Sequence, residues 1–205
     1  MVGNIPVSFK KPAELSRLVP DVAHQGIVAL AEEFSYSDLN QVIEASLRER
    51  EHAILIVADH ITDEGNLGAL IRTAVFFGVH GLIIPGDRSA QASAREFKRS
   101  SGGSLHLPIA KVINIGRTLD LLKKKGFWVI GASGEASTPI YHFDWGRDLA
   151  LVLGNEKSGL SIPTRKRCHE IVSIPSLGPV ESLNVSVSGG IILSEIVRQR
   201  GVEKP

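Results

Sequence analysis

The sequence predicts an α/β fold, a mostly parallel sheet with helices on both faces. Two observations carry this reading. Short, almost continuously apolar runs recur along the chain, the pattern of strands buried on both faces. Between them lie stretches whose apolar residues follow helical spacing, and that alternation is what a sheet with crossover helices requires.

In chain order, residues 1–50 read as an N-terminal appendage and linker. They hold a polar, Pro-containing start, a short strand candidate at Gly26–Ala31, and an amphipathic helix from about Ser37 to Arg50. The main domain, 51–205, opens with the strand Ala53–Ala58 (AILIVA). Leu67, Leu70, Ile71, Ala74 and Val75 then follow helical spacing into a strand at Gly81–Ile84. Leu119, Leu121 and Leu122 mark a helix ending at Lys123, Lys124 and Lys125, where the helix dipole favours cations. Strands follow at Phe127–Ala132, Leu149–Leu153 and Ile171–Ile174, and a last helix runs from near Ser182 to Arg200. Trp128 is expected in the core; Trp145 falls in a loop. The chain shows no internal repeat and no low-complexity tract.

Composition excludes several classes. With 205 residues, 43% hydrophobic and 22% charged, the chain is ordinary globular material. At that length it buries roughly 70% of its unfolded surface without covalent staples. Cys168 is the single cysteine, which excludes an intrachain disulfide and a thiolate metal cluster and fits a reducing, cytoplasmic setting. The seven histidines show no metal spacing. There is no apolar run of the roughly 18 residues a membrane span needs, and the start MVGNIPVSFKKPAEL lacks the apolar block of a signal peptide. A net charge of +1 is too small to hold nucleic acid by bulk electrostatics. Any RNA contact must come from local clusters, for which Arg88, Arg95, Lys98 and Arg99, and Arg165, Lys166 and Arg167, are candidates against the alternative of a solvated helix face.

Three segments carry chemistry, and all follow strands, where open parallel sheets place their ligands. In the first, Thr62 to Ala74, Asn66 and Arg72 stand six positions apart, so on one helix they point different ways. Asn66 reads either as an N-cap or as a site residue, and Arg72, flanked by Leu70, Ile71, Ala74 and Val75, either as a solvated or as a paired cation. The second, Leu153 to Ser161, nearly matches a P-loop through Gly154, Gly159 and Ser161. Leu160 stands where the phosphate-binding lysine belongs, and Glu156 would repel phosphates, so a nucleotide triphosphatase is disfavoured. The third, Ile174 to Ser188, places Ser182 as N-cap of the last helix and puts Asn184, Ser186 and Ser188 in its first turns, suited to close packing on a ligand or another chain.

In this order the three segments resemble the signature motifs of the SpoU-type (TrmH-like) branch of the SPOUT RNA 2′-O-ribose methyltransferases. The first motif is matched by Asn66, Leu67-Gly68 and Arg72, the second by Gly154, Glu156 and Gly159, the third by Ile174-Pro175 and Ser182-Leu183-Asn184-Val185-Ser186-Val187. The similarity spans about residues 20 to 200. In His24-Gln25-Gly26 and Asp87-Arg88-Ser89 it extends to enzymes that methylate a guanosine of 23S ribosomal RNA. The resemblance implies S-adenosylmethionine as methyl donor, a C-terminal trefoil knot, an RNA partner (ribosomal ahead of transfer RNA), and a homodimer whose chains share each active site, without metal. It also implies that the appendage is the tail of an RNA-binding domain of the ribosomal-protein L30 type. Carried over by residue, Gly154, Ile174, Leu183 and Asn184 are the expected donor contacts, and Arg72, Asn66, Glu156, Ser182 and Asn184 the expected catalytic set.

The residue types suit the reaction so implied. A ribose hydroxyl is a poor nucleophile, so its developing oxyanion needs a charged donor and in-line placement. The fork of Arg72 can supply that charge and grip a phosphate, but a guanidinium keeps its proton, which leaves water or phosphate as the acceptor. Two alternatives stay open: a transfer-RNA 2′-O-methyltransferase of the same family and an inactive RNA-binding member. A Rossmann-type methyltransferase is disfavoured, because Asp59-His60-Ile61-Thr62 replaces the glycine-rich turn after the first strand.

Overall fold

The computed structural model describes residues 6–20, 23–30, 34–48, 52–91 and 100–201. The chain forms two compact units, Met1–Phe34 and Ser35–Pro205. In the first, α1 (Pro12–Leu18) starts on a proline, and the Glu14 carboxylate accepts from the Lys11 N–H at 2.9 Å. No strand forms at residues 26–30. Gly26 sits at φ +85° in a turn closed by the Ile27 N–H on the His24 carbonyl, and left-handed backbone cannot extend. Residue 31, the end of that expected strand, lies outside the described residues.

In the second unit, β1 (Ile54–Asp59), β2 (Gly81–Pro85), β3 (Ile109–Val112), β4 (Trp128–Ala132), β5 (Thr138–Pro139), β6 (Leu149–Gly154) and β7 (Glu170–Ser173) make one parallel sheet, ordered β3-β2-β1-β6-β4-β7-β5. The five expected strands are all present within a residue or so of their expected ends. The two unexpected ones are the sheet edges. Exposed Lys111 interrupts the apolar pattern of β3, and β5 is two residues long with Pro139 in it, as an edge tolerates.

Among the described residues five helices surround the sheet: α2 (Leu39–Ser46), α3 (Glu64–Phe76), α4 (Ile115–Lys124), the short α5 (Ile162–Arg165) and α6 (Val185–Arg200). The Asp38 carboxylate caps α2 by accepting from the Asn40 and Gln41 N–H groups, and the helix buries Val42 and Ile43. It therefore packs with the main unit, which begins at Ser35, although the sequence groups it with the appendage. On that side Leu119 and Leu122 of α4 and Phe127 join Leu55, Val57, Val129 and Val152 in one core, while Lys123 and Lys124 fill the last turn of α4. On the other side α6 packs on α3 and β6. A Cβ at Gly189 would lie 2.8 Å from Leu70 Cδ1 and 3.1 Å from Leu153 Cδ1, so any larger residue would have to displace these leucine side chains.

Trp128 departs from its expected place in the core, whereas Trp145 lies in a loop, as expected, and joins the core from there. Trp145 is fully buried and its indole donates to the Ile140 carbonyl at 2.8 Å. Trp128 opens β4 at the amino edge of the sheet and is 40% exposed, its ring covered by the Arg147 guanidinium at 4.2 Å. Among the described residues no helix is long and apolar enough to cross a membrane, and no cluster of His, Cys, Asp and Glu could hold a metal.

Candidate functional site

The chain fills β1-β2-β3 outward in one direction and then crosses to the β6-β4-β7 side, and a crevice opens at the carboxyl ends of the strands where the direction changes. Here lies a pocket of about 550 Å³. Its walls are Ala132–Gly134 at the end of β4, Leu153–Glu156 at the end of β6, Ile174–Ser176 after β7, Glu181–Val185 leading into α6, and Asn66 of α3.

The loop after β6 is closed on itself. Asn155 and Gly159 exchange backbone hydrogen bonds at 3.0 and 2.9 Å, and a Cβ on Gly154 would collide with the Gly159 backbone. The Asn155 side chain accepts from the Lys157 and Ser158 N–H groups, and its amide donates to the His60 carbonyl at 2.7 Å. Buried Asp59 accepts from the Ser161 N–H at 2.9 Å and contacts His60 Nδ1 at 2.8 Å. The end of β1 thus clamps both ends of this loop. Sequence reasoning treats Asp59 and His60 only as the absence of a glycine turn; the positive φ of His60 that permits the clamp has no sequence signal.

Glu156 faces four donors. Its Oε2 accepts from the Thr62 N–H (3.2 Å) and hydroxyl (3.3 Å), and its Oε1 from the Asp63 N–H (3.2 Å) and the Asn66 amide (3.0 Å). Partial burial pushes the carboxyl up, but the bonds from the Asn66 amide and from the backbone of Glu156, Thr62 and Asp63 outweigh it and hold the group below the usual carboxylate range. Asn66 is not the N-cap of α3. Asp63 is, accepting the Asn66 N–H at 2.7 Å, which frees the Asn66 side chain for the pocket.

Ser182 is not the N-cap of α6 either. Asn184 takes that place with extended backbone, and its Oδ1 accepts from the Ser186 N–H (2.9 Å) and hydroxyl (2.6 Å). The Asn184 amide donates to Asn66 Oδ1 at 2.7 Å. Of the small polar residues here, Asn184 caps, Ser186 buttresses the cap and Ser188 lines the pocket.

Asn66, Gly154, Glu156, Ile174, Ser182, Leu183 and Asn184 therefore surround one pocket, and Arg72 does not. Six residues along α3 rotate Arg72 about 120° from Asn66. It is exposed, and its Nη1 lies 3.4 Å from Ser101 Oγ. Ser133 and Gly134 line the pocket without having been expected; their place follows from β4 lying beside β6, which spacing along the chain does not reveal. Of the basic clusters, Arg165 bonds Ser133 and Glu135, Arg167 bonds Asp120 and the Pro163 carbonyl, and Arg88 pairs with Asp87. Arg95, Lys98 and Arg99 lie outside the described residues.

With this geometry in hand, residues 53–194 match the profile of the SpoU rRNA methylase family. A 23S rRNA (guanosine-2′-O-)-methyltransferase, RlmB, of Yersinia pestis is 44% identical over 88% of this chain and 73% of its own length. An uncharacterized tRNA/rRNA methyltransferase of Synechocystis is 38% identical over 93% of this chain but only 50% of its own length, so the chain spans half of that relative. Among solved structures, the SpoU methyltransferase AviRb of Streptomyces viridochromogenes in complex with AdoMet superposes with a TM-score of 0.74, at 31% identity, over 82% of this chain and 66% of its own.

Proposed function

The chain belongs to the SpoU rRNA methylase family, and from that premise we propose that it is an S-adenosylmethionine-dependent RNA 2′-O-ribose methyltransferase acting on a guanosine of 23S ribosomal RNA. One observation carries the proposal: three motif segments far apart in sequence line a single pocket at the carboxyl ends of the strands. The residues suit the donor. A volume of about 550 Å³ falls in the usual small-molecule range, and the apolar side chains of Ile174, Leu183 and Ile192 stand beside loop backbone that can meet the polar edges of an adenine.

When bound, S-adenosylmethionine supplies an electrophilic methyl group. Ile174 and Leu183 keep water from it, and the fixed loop from Gly154 to Gly159 shapes the base of its site. The reading includes a homodimer in which Arg72 of one protomer serves the pocket of the other. In support, Arg72 is exposed and turned away from the pocket of its own chain, and Val187 of α6 and Leu183 just before that helix are about half exposed beside the pocket. In this arrangement Arg72 stabilises the developing ribose oxyanion and holds a neighbouring phosphate, while water or phosphate accepts the proton. The C-terminal knot, a cytoplasmic location and a role for the N-terminal unit in presenting RNA belong to the same proposal.

Calorimetric titration with S-adenosylhomocysteine, with ATP as control, tests it. Binding of the first and not the second supports the reading; the reverse overturns it.

A further inference from the structure

We propose that Glu156 is a positioning residue, serving the pocket through a chain of hydrogen bonds that runs from Thr62 through Asn66 to Asn184 and the start of α6, and not through contact with the reacting atoms. The inference rests on the donor-binding reading of this pocket.

An ionised carboxylate only accepts hydrogen bonds and has about four places to do so. Those of Glu156 are taken by the Thr62 N–H and hydroxyl, the Asp63 N–H and the Asn66 amide, at 3.0–3.3 Å. A group so occupied has no oxygen left for a substrate proton, and its carboxyl is held below the usual range, which suits a fixed acceptor and not a base poised near neutrality. Thr62, which the motif comparison passes over, provides two of the four bonds.

Because Glu156 can only accept, the amide of Asn66 has one possible orientation, NH₂ toward Glu156 and carbonyl away from it. That carbonyl receives the Asn184 NH₂ at 2.7 Å, so the carbonyl of Asn184 must turn toward α6, where it meets the Ser186 N–H and hydroxyl. Each link dictates the next. The chain joins the three segments that line the pocket and ends at the residue that closes the exposed stretch 175–184 over it. Its polarity, and not merely its presence, is therefore the functional feature.

Reversing the polarity of one link tests this. In Glu156→Gln the new NH₂ faces either the Thr62 donors or the Asn66 NH₂; in Asn66→Asp two carboxylates oppose each other. Each single variant should weaken S-adenosylhomocysteine binding by about tenfold or more, the equivalent of one lost charge-assisted bond. The double variant Glu156→Gln/Asn66→Asp keeps the net charge and restores a donor facing an acceptor. The new carboxamide keeps its oxygen on Thr62 and gives its NH₂ to the new carboxylate, which still accepts from Asn184; only the Asp63 N–H loses its acceptor. Its affinity should therefore recover partway, to at least about threefold above that of either single variant, a sign of coupling between contacting groups. A double variant as weak as the worse single, or singles that bind like wild type, overturns the proposal. In the wild-type protein, the side-chain amide NMR signals of Asn66 and Asn184 should shift together as Glu156 is protonated in acid; movement of Asn66 alone also overturns it. Absence of wild-type binding overturns the functional reading itself, and the inference with it; wild-type binding without rescue overturns the inference alone.

Discussion

The Asn184 amide donates to Asn66 Oδ1 at 2.7 Å, joining residues 118 positions apart, while the other end of the same side chain caps α6. Cap and cross-link can be separated by substitution. Asn184→Ala loses both, so it should cost about 1 kcal/mol of stability and also weaken donor binding. Asn184→Asp keeps a good cap but sets a carboxylate against the Asn66 carbonyl. Its melting temperature should stay near wild type while donor affinity falls. Differential scanning calorimetry and donor titration on the same samples read the two effects.

Arg72 stands apart from that network, and its loss should be felt differently. Arg72→Ala should leave donor affinity nearly unchanged and cut methyl transfer to RNA by about a hundredfold or more, the scale for one preorganised charge donor. Arg72→Lys should also transfer poorly, because an ammonium lacks the planar fork that holds two oxygens together. Equal loss of donor affinity in both variants would place Arg72 at the donor.

How much of this was legible in the sequence follows from burial. The inner strands announced themselves because both faces are covered, leaving continuous apolar runs such as Ile54–Ala58 and Leu149–Leu153. Edge strands β3 and β5 did not, since Lys111 and Pro139 are tolerated only where one side is unpaired. The motif residues were legible as loops following strands. Which of them share a wall depends on β6 lying between β1 and β4, a fact of topology absent from spacing. The expected cap at Ser182 falls instead on Asn184, and the open choice for Asn66 falls on the site residue, for a local reason: Asp63 and Asn66, like Ser182 and Asn184, are similarly good cap formers, and tertiary contacts decide between them.

Gly154 carries no side chain because the Gly159 backbone occupies the space. Gly154→Ala should open the loop, destabilise the protein by about 1–3 kcal/mol, and abolish measurable donor binding. Urea unfolding and donor titration check the two parts.

The acid side of the stability curve should carry the mark of Glu195. Its carboxyl, held by Arg198 and then Gln199 against the opposing effect of burial, is lowered from 4.5 to about 2. A lowered folded-state value means that the contribution is fully present above pH 4.5 and is lost as pH falls from there toward 2. Arg198 is largely exposed, so solvent screens the pair and the effect should be modest. Urea unfolding at pH 6 and pH 3 should show a smaller difference in Glu195→Gln than in wild type.

Along α6, Val187, Ile191 and Ser194 lie on the side turned away from the buried Gly189, Ile192 and Ile196. If that side meets a second copy, Ile191→Glu buries an unpaired charge and should give monomers or aggregates by sedimentation. A wild type that sediments as a monomer at micromolar concentration contradicts the shared active site.

The most direct measurement of the central claim is transfer of the methyl group from labelled S-adenosylmethionine to ribosomal RNA, followed by digestion and mass identification of the modified nucleoside. The account predicts a single 2′-O-methylated guanosine from 23S RNA, and its loss in Arg72→Ala. A methyl group on a base, or transfer that is unchanged in Arg72→Ala, would contradict it.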